Sequence, residues 1–324
     1  MTTTYDVIMV GARCAGSATA MLLARQGLRV LVLDRARHGS DTVSTHALMR
    51  GGVLQLQRWG LLDRVVAAGT PPVTRVAFHY PDDSVRISLK PAAGVSALYA
   101  PRRTVLDRVV ADAAMEAGAE VRFRTTVTEV LRHASGRVVG VAGVDVHGRS
   151  FRAMAPLTVG ADGIRSIVAR SVAAPVVRTG SSASAVLYGY WNDLPTEGYE
   201  WLYAPSAAAG LIPTNDGQTG VFVSTTRQRM RAARSSGTAD AFGALLRTVS
   251  PDAWRRVSGA RAPGRLRGFA GVAGYRRQAW GSGWALVGDA GAFEDPLSTH
   301  GITDAFRDAE LLAAHPRQIL DEQP

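Results

Sequence analysis

The chain has 324 residues, enough for one large domain or two smaller ones with real hydrophobic cores. Its composition, 46% hydrophobic and 20% charged residues, is that of an ordinary globular protein rather than a disordered or fibrous one. No apolar run reaches the roughly 18 to 20 residues that span a bilayer, and the N-terminus lacks a signal peptide's basic start. We therefore expect a cytoplasmic protein without a transmembrane segment.

The formal net charge is +10, and Lys90 is the only lysine, so the basic residues are almost all arginines. They are scattered along the chain, and no helix-turn-helix, RNP or zinc-finger pattern accompanies them, so we expect no nucleic-acid partner. Cys14 is the only cysteine, which excludes an intramolecular disulfide. No Cys/His cluster has the spacing of metal ligands, so we expect no metal. The oligomeric state stays open.

The N-terminal segment predicts a βαβ unit that binds a dinucleotide. An apolar run at 7–10 predicts a buried strand, residues 28–33 predict a second strand, and a helix-compatible segment lies between them. Gly11 stands where the chain must turn sharply, and Gly16 stands where the helix must pack closely on the first strand. Asp34 ends the second strand, where a ribose hydroxyl would lie.

Arg13 occupies the position of the middle glycine in the G-x-G-x-x-G pattern. That glycine normally lets a pyrophosphate approach the backbone closely. Arg13 either adds a cation beside the phosphates or weakens their binding. The start of the helix still offers free N–H groups and a positive dipole end to a pyrophosphate. We interpret the neighbouring Cys14 as a small residue in a tight turn rather than as a redox thiol.

Helical and β-like patterns alternate after this unit. Helices are predicted at 47–59, 61–68 and 104–117, and an antiparallel hairpin is predicted at 75–80 and 84–89. The hairpin is the first sign of a second sheet. Thr104 and Asp107 have the spacing of a capping box at the start of the third helix.

The second half of the chain contains two further strand ends marked by aspartate and glycine. One strand ends at Asp162-Gly163, and another ends at Gly288-Asp289. Further strands are predicted at 185–191, 199–203, 210–213 and 220–225. Their aromatic residues are expected to form core, with an apolar substrate wall as the alternative. A helical segment is predicted at 227–257, and a last helix begins just after Gly301.

Three of these motifs together resemble the FAD-dependent class A flavoprotein monooxygenases of the para-hydroxybenzoate hydroxylase type, with the related geranylgeranyl reductase and halogenase branches. The first motif is the glycine-rich unit that ends at Asp34. The second is Asp162-Gly163, with Ser166 and Arg170. The third is Gly288-Asp289, followed by Pro296 and Gly301. They occur in the family's order and spacing, and the resemblance spans roughly residues 5–312.

The resemblance implies an α/β fold with a Rossmann-like FAD-binding domain and a discontinuous second domain built on a mostly antiparallel sheet. We predict that the first domain comprises 1–74, 101–176 and 263–324, and the second 75–100 and 177–262. Family members usually continue well past the last helix, so we expect a C-terminally truncated member.

By the same resemblance, the glycine loop would hold the FAD pyrophosphate and Asp34 the ribose. Asp289 would bind the ribityl chain, and the helix starting at Gly301 would point at the flavin pyrimidine edge. A helix N-terminus there stabilises the negative charge of a reduced flavin. The alternative for Asp162 and Asp289 is simple turn formation. The implied cofactor-binding residues are Gly11, Arg13, Gly16, Asp34, Arg35, Arg103, Asp162, Gly163, Gly288, Asp289, Pro296, Gly301 and Ile302.

His46 and His300 are the histidines nearest to these motifs, and we take both as candidate catalytic residues. The alternative is that each is a loop histidine bonded to backbone. No Ser-His-Asp grouping and no paired catalytic carboxylates stand out in the sequence.

The resemblance implies an FAD-dependent oxidoreductase with NADH or NADPH as the electron donor. The first hypothesis is a monooxygenase that uses O2 to hydroxylate or epoxidise a small organic substrate through a flavin peroxide. The second is a reductase of carbon–carbon double bonds, because residues 199–205 are similar to the aromatic–proline substrate motif of the geranylgeranyl reductase branch. The third is a non-catalytic FAD-binding protein. A halogenase is not expected, because the sequence lacks that branch's Trp-x-Trp-x-Ile-Pro motif.

Overall fold

The computed structural model describes residues 5–261 and 264–315. The helices are α1 (Cys14–Ala24), α2 (Arg50–Arg58), α3 (Leu62–Ala67), α4 (Arg103–Glu116), α5 (Ile167–Ser171), α6 (Arg227–Ala233), α7 (Thr238–Val249), α8 (Pro251–Gly259) and α9 (Gly301–Ala314). The first strands are β1 (Val7–Val10), β2 (Val30–Asp34), β3 (Arg75–His79), β4 (Ser84–Ser88), β5 (Glu120–Phe123), β6 (Thr126–Arg132), β7 (Val138–Val144), β8 (Ser150–Met154) and β9 (Leu157–Gly160). The remaining strands are β10 (Val176–Thr179), β11 (Ser184–Trp191), β12 (Tyr199–Ala204), β13 (Ala207–Pro213), β14 (Thr219–Thr226), β15 (Arg267–Phe269), β16 (Tyr275–Arg277), β17 (Trp280–Gly281), β18 (Trp284–Leu286) and β19 (Ala292–Phe293).

The first layer is a sheet in the order β17-β18-β9-β1-β2-β5, parallel except at the β17 edge. Successive side chains of β1 point to opposite faces, and both faces are buried. Val7 and Met9 pack with α1, α4 and α9, whereas Ile8 and Val10 pack against the small antiparallel sheet β6-β7-β8. Because both faces of the sheet are buried, its central strands are continuous apolar runs rather than alternations of apolar and polar residues.

The second layer is a sheet in the order β15-β11-β14-β13-β12-β3-β4. Its pairs are antiparallel, except that β12 runs parallel to β3. Helices α7 and α8 cover one face around Leu211, Val223 and Phe242. The aromatic side chains of the other face pack around Tyr199 and Trp201. The predicted α/β fold with a second, mostly antiparallel sheet is therefore confirmed.

The strand β15 pairs with β11 at the edge of the second sheet, and the predicted domain boundary beside it stays a prediction. One local expectation was wrong. Helix α4 begins at Arg103, and its N-cap Arg102 makes no side-chain cap in the described structure, so Thr104 and Asp107 do not form a capping box. Asp107 points instead into the interior, where it binds cationic side chains.

The other domain boundaries stay predictions. The boundary between 262 and 263, and the chain ends 1–4 and 316–324, lie outside the described residues. Among the helices of the described chain, none has both the length and the apolar character needed to cross a bilayer.

Candidate active site

A large cavity of about 790 Å³ opens where the parallel strands end. It is bordered by the residues that follow three neighbouring strands: Gly11 after β1, Ala161 after β9 and Gly288 after β18. In open α/β sheets, ligands bind outside the carboxyl ends of the strands. The opposite wall of the cavity belongs to the second sheet, so one space joins the two layers.

The two glycines of the first turn are required by close backbone contacts. Gly11 has φ +107°, and a Cβ at this position would lie 2.5 Å from the carbonyl oxygen of Ala161. A Cβ on Gly16 would lie 1.8 Å from the carbonyl oxygen of Gly11. Gly11 borders the cavity, whereas Gly16 is buried beneath the turn and is not part of the described lining. Gly16 therefore shapes the turn rather than facing a ligand.

Asp34 fixes the same turn from the end of β2. The backbone N–H of Ala12 donates to Asp34 Oδ2 at 2.7 Å, and that of Ala36 donates to Oδ1 at 2.7 Å. The carboxylate lines the cavity beside Arg35. Its lone pairs beyond these two bonds suit a ligand hydroxyl.

Arg13 and Arg103 share one buried carboxylate, that of Asp107. Arg13 Nη1 lies 2.8 Å from Oδ2, and Arg103 Nη2 lies 2.8 Å from Oδ1. The Cys14 thiol also contacts Oδ1, at 3.1 Å, and burial raises the pKa of this thiol, so it stays protonated. Both arginines line the cavity. The Arg13 side chain therefore leans away from the turn and borders the cavity as part of an ion-paired group.

Asp162 and Gly163 follow β9 and also line the cavity. Asp162 Oδ2 accepts from the N–H of Ile167 at 2.5 Å, and Ser166 caps α5 by accepting from Ala169 N at 2.9 Å. Asp162 Oδ1 is buried and has no hydrogen-bond partner in the described part of the chain. Burial raises the pKa of Asp162. A buried oxygen of this kind is suited to accept from a ligand donor.

Asp289 also lines the cavity, in the turn after β18. Burial raises its pKa to about 6, although the charge of Arg103 opposes the shift. Gly288 has φ +57°, and its N–H donates to Asp308 Oδ2 at 3.0 Å, which ties this turn to α9. Burial therefore favours the protonated form of Asp289, or a carboxylate that accepts hydrogen bonds.

The N-terminus of α9 faces the same cavity. Gly301 and Ile302, at its start, line the space together with Pro296. In the described structure the His300 side chain does not cap the helix, so its first N–H groups are available to a ligand. The positive end of the helix dipole favours negative charge at this position.

The two candidate histidines have different environments. His46 is buried, lines the cavity and has φ +58°. Its Nε2 bonds the hydroxyl of Tyr190, and its ring stacks on that tyrosine at 5.4 Å. His300 is exposed, its Nδ1 lies 2.5 Å from the carbonyl oxygen of Ser298, and it is absent from the cavity lining as far as the structure describes it. The geometry thus favours His46 over His300 as a catalytic candidate.

Burial lowers the pKa of His46 well below its ordinary value. Three guanidinium groups lower it further, those of Arg102, Arg103 and Arg267. The imidazole is therefore neutral near pH 7. Its Nδ1 is buried and finds no partner within the described chain.

The wall that faces the nucleotide motifs is largely apolar. It is formed by Val186 and Tyr188 of β11, Phe269 of β15 and Phe293 of β19, and by the loop residue Ala47. Of the aromatic residues that the sequence offered for such a wall, Tyr188 is the one in the lining. The sequence did not indicate Phe269 and Phe293 as wall residues, because isolated phenylalanines in short strands form no local pattern that is typical of a site.

These features fit FAD. The cavity has the size range of small-molecule and cofactor sites, and it combines an apolar wall with a few convergent polar groups. The start of α1, whose N-cap Arg13 makes no side-chain cap in the described structure, suits the pyrophosphate, and the acid at the end of β2 suits the ribose. The unpartnered Asp162 Oδ1 provides an acceptor for a further ligand group.

Comparison with known proteins supports this fit. The family model described as FAD binding domain matches residues 4–315. The chain is 27% identical to digeranylgeranylglycerophospholipid reductase of Methanocella arvoryzae, over 96% of this chain and 77% of that protein. It is 26% identical to squalene epoxidase 3 of Arabidopsis thaliana, over 96% of this chain and 59% of that protein.

Solved structures share the fold. The flavin-dependent brominase Bmp2 superposes with a TM-score of 0.87 at 22% identity, covering 99% of this chain and 80% of that one. PqsL of Pseudomonas aeruginosa, described as a probable FAD-dependent monooxygenase, superposes with a TM-score of 0.81 at 22% identity, covering 99% of this chain and 88% of that one. The chain belongs to the FAD binding domain family and is a flavin-dependent oxidoreductase.

Proposed function

We propose that this protein is an NAD(P)H-dependent monooxygenase that hydroxylates or epoxidises a small, largely apolar organic substrate. The observation that carries the proposal is the single cavity that joins the nucleotide motifs to the apolar wall of the second sheet. An enzyme that brings a flavin and an organic substrate together needs both kinds of surface in one enclosed space.

In this proposal, FAD supplies the redox chemistry when it is bound, and the chain holds it through three turns. The Gly11 turn and α1 start would hold the pyrophosphate, and Asp34 the adenosine ribose. Arg103, Asp162 and Asp289 would hold the remaining polar groups. These assignments rest on the position of each residue in the cavity lining and on the family to which the chain belongs.

The N-terminus of α9 has an electrostatic role in the proposal. Gly301 and Ile302 place the positive end of the helix at the cavity, and the guanidinium of Arg103 lies close enough to oppose the raised pKa of Asp289. Both features stabilise negative charge inside the cavity, such as that of a reduced flavin. The preorganised helix dipole requires no rearrangement during the reaction.

The apolar wall would orient the substrate and exclude water. Val186, Phe269 and Phe293 offer no charge to a ligand, whereas His46 is a neutral polar group at the same wall. We assign His46 the role of holding a substrate oxygen in position, since a neutral imidazole can donate or accept one hydrogen bond.

A second candidate function is reduction of a carbon–carbon double bond. It is favoured by the 27% identity to a digeranylgeranylglycerophospholipid reductase over nearly the whole chain. The same apolar wall suits a hydrocarbon chain. The two functions differ in their use of O2, which separates them experimentally.

The first measurement is the absorbance spectrum of the purified protein, which we expect to show about one FAD per chain. NADH or NADPH oxidation and O2 uptake are then followed with simple phenols, terminal alkenes and geranylgeraniol. A monooxygenase consumes O2 in a substrate-dependent manner and transfers ¹⁸O from ¹⁸O2 to the product. A reductase yields a product with two more hydrogens under anaerobic conditions. A protein that binds FAD but gives neither product contradicts both functions.

A further inference from the structure

One loop contributes a continuous run of residues to the cavity lining. This loop, which we call the wall segment, comprises residues 41–47 between β2 and α2. Residues 42–47 all line the cavity. Most of the segment has no regular backbone hydrogen bonding, and His46 adopts positive φ. Its position must therefore be set by side-chain contacts with the elements around it.

The carboxylate of Asp41 makes the central contact. Its Oδ2 accepts from Arg102 Nη2 at 3.2 Å and lies 2.8 Å from Arg267 Nη1. Arg102 directly precedes α4, whereas Arg267 opens β15 at the edge of the second sheet. The side chains of Asp41 and Arg102 are only 17% and 14% exposed, so solvent screens this contact weakly. One carboxylate thus ties the wall segment to both layers of the molecule.

Other residues of the wall segment contact tyrosine side chains of β11. The N–H of Ser44 donates to the Tyr188 hydroxyl at 3.3 Å, and His46 bonds the Tyr190 hydroxyl. The guanidinium carbon of Arg102 lies 3.6 Å from the ring centre of Tyr190. Arg102 therefore supports both ends of the segment, through Asp41 and through Tyr190.

We propose that Asp41 is a positioning residue: together with Arg102 and Arg267 it holds the wall segment in place, so that the substrate half of the cavity keeps its shape and admits less water. Replacing the shared carboxylate by an amide would leave two guanidinium groups close together without their counter-charge. Their repulsion would push the start of α4 and β15 apart, and the wall segment would lose its ionic contact with both.

The consequence for catalysis rests on the proposed monooxygenase function. In a coupled turnover, substrate, O2, NAD(P)H and a proton give hydroxylated product, NAD(P)⁺ and water. When water enters and the substrate is poorly held, NAD(P)H, a proton and O2 give NAD(P)⁺ and hydrogen peroxide without product. Displacement of the wall segment should therefore raise the fraction of NAD(P)H that ends as hydrogen peroxide.

The structural part is tested by hydrogen–deuterium exchange of the FAD-loaded protein, comparing wild type with Asp41→Asn. Amides of residues 42–47 should exchange about tenfold faster in the variant, while those of β1 stay unchanged. Asp252→Asn is the matched control, because that carboxylate also pairs with an arginine, at 2.8 Å, but is 67% exposed. Asp41→Glu should restore slow exchange. Unchanged exchange at 42–47 in Asp41→Asn would overturn the proposal.

A second variant covers the case in which Asp41→Asn does not fold. Arg267→Gln leaves the Arg102–Asp41 contact in place, and we expect exchange about threefold faster at 42–47. The double variant Asp41→Asn/Arg267→Gln should exchange no faster than Asp41→Asn, since both changes remove one shared interaction. Additive effects, or unchanged exchange in Arg267→Gln, would contradict the proposed role of Asp41 as a positioning residue.

The catalytic part uses any substrate that wild type hydroxylates. Asp41→Asn should raise KM more than it lowers kcat, and should raise the ratio of hydrogen peroxide to NAD(P)H oxidised, with rescue by Asp41→Glu. If exchange is faster in Asp41→Asn but the ratio of hydrogen peroxide to NAD(P)H oxidised is unchanged, Asp41 has no role in coupling NAD(P)H oxidation to hydroxylation. If wild type gives no hydroxylated product, the proposed function fails, while the exchange result still decides whether Asp41 positions the wall segment.

Discussion

The two halves of the cavity are built by different means. The nucleotide half consists of short runs of consecutive residues that follow the parallel strands, at Gly11, Asp162 and Gly288. The apolar half is assembled from single side chains that lie far apart in the chain, such as Ala47, Tyr188 and Phe293. Backbone geometry determines the first half, and side-chain packing determines the second.

This difference indicates which half of the cavity tolerates amino-acid substitutions. A backbone turn that lies within contact distance of another backbone tolerates almost no added atom, whereas a side-chain wall can exchange one residue for another of similar volume. The related proteins are consistent with this view, since those named here include a reductase and an epoxidase. We expect the reaction of each member to be decided mainly in the apolar half.

The largest effect is expected from Gly16→Ala. The new Cβ would lie 1.8 Å from the carbonyl oxygen of Gly11, so α1 or the turn must move. We expect a loss of at least about 3 kcal/mol in the free energy of unfolding and no detectable FAD binding. Urea unfolding and flavin absorbance measure both. The exposed Gly259→Ala, which meets nothing within 4 Å, is the control. Normal FAD binding by Gly16→Ala would show that the nucleotide half is more adaptable than we infer.

The next effect concerns charge in the nucleotide half. Asp289 has a folded-state pKa of about 6, above its ordinary value of 3.8. Between these values the folded protein binds more protons than the unfolded chain, so the stability contributed by this group falls as the pH rises. Above about pH 7 the full penalty is present, on the order of 2 to 3 kcal/mol.

Asp289→Asn should therefore stabilise the FAD-free protein at pH 8, and the gain should vanish near pH 4. Urea unfolding of both proteins at the two pH values measures the difference. The exposed Asp63→Asn serves as the control. A gain that is the same at both pH values would contradict the ionisation argument and indicate a change in packing instead.

The smallest effect is expected from Tyr190→Phe, a residue outside the described lining that supports His46 at the apolar half. The change removes the hydroxyl that bonds His46 Nε2 but keeps the ring beneath Arg102. We expect a loss of about 1 kcal/mol in the free energy of unfolding. FAD affinity should change by less than about threefold. Flavin titration measures the affinity, and a tenfold loss would mean that the two halves are not independent.

Much of the nucleotide half followed from the sequence. The apolar runs of β1 and β2 predicted buried strands, and twelve of the thirteen predicted cofactor residues lie in the lining, with Gly16 beneath it. Such prediction works because a glycine turn between a strand and a helix is a local pattern with few backbone solutions. The roles of these residues toward FAD stay predictions.

Tertiary structure alone decided the rest. Arg103 and Asp107 are four residues apart on one helix, so their pairing is a local one. Nothing near Asp107 in the sequence indicates its contact with Arg13, and nothing near Asp41 indicates its contact with Arg267. The edge strand β15 joins the second sheet, and Phe269 reaches the cavity, only because β11 presents a free edge to it. The sequence by itself determined the local turns and the alternation of strands and helices, because these depend on neighbouring residues. The folded chain decided the ion pairs and the apolar wall, because these depend on which distant segments meet.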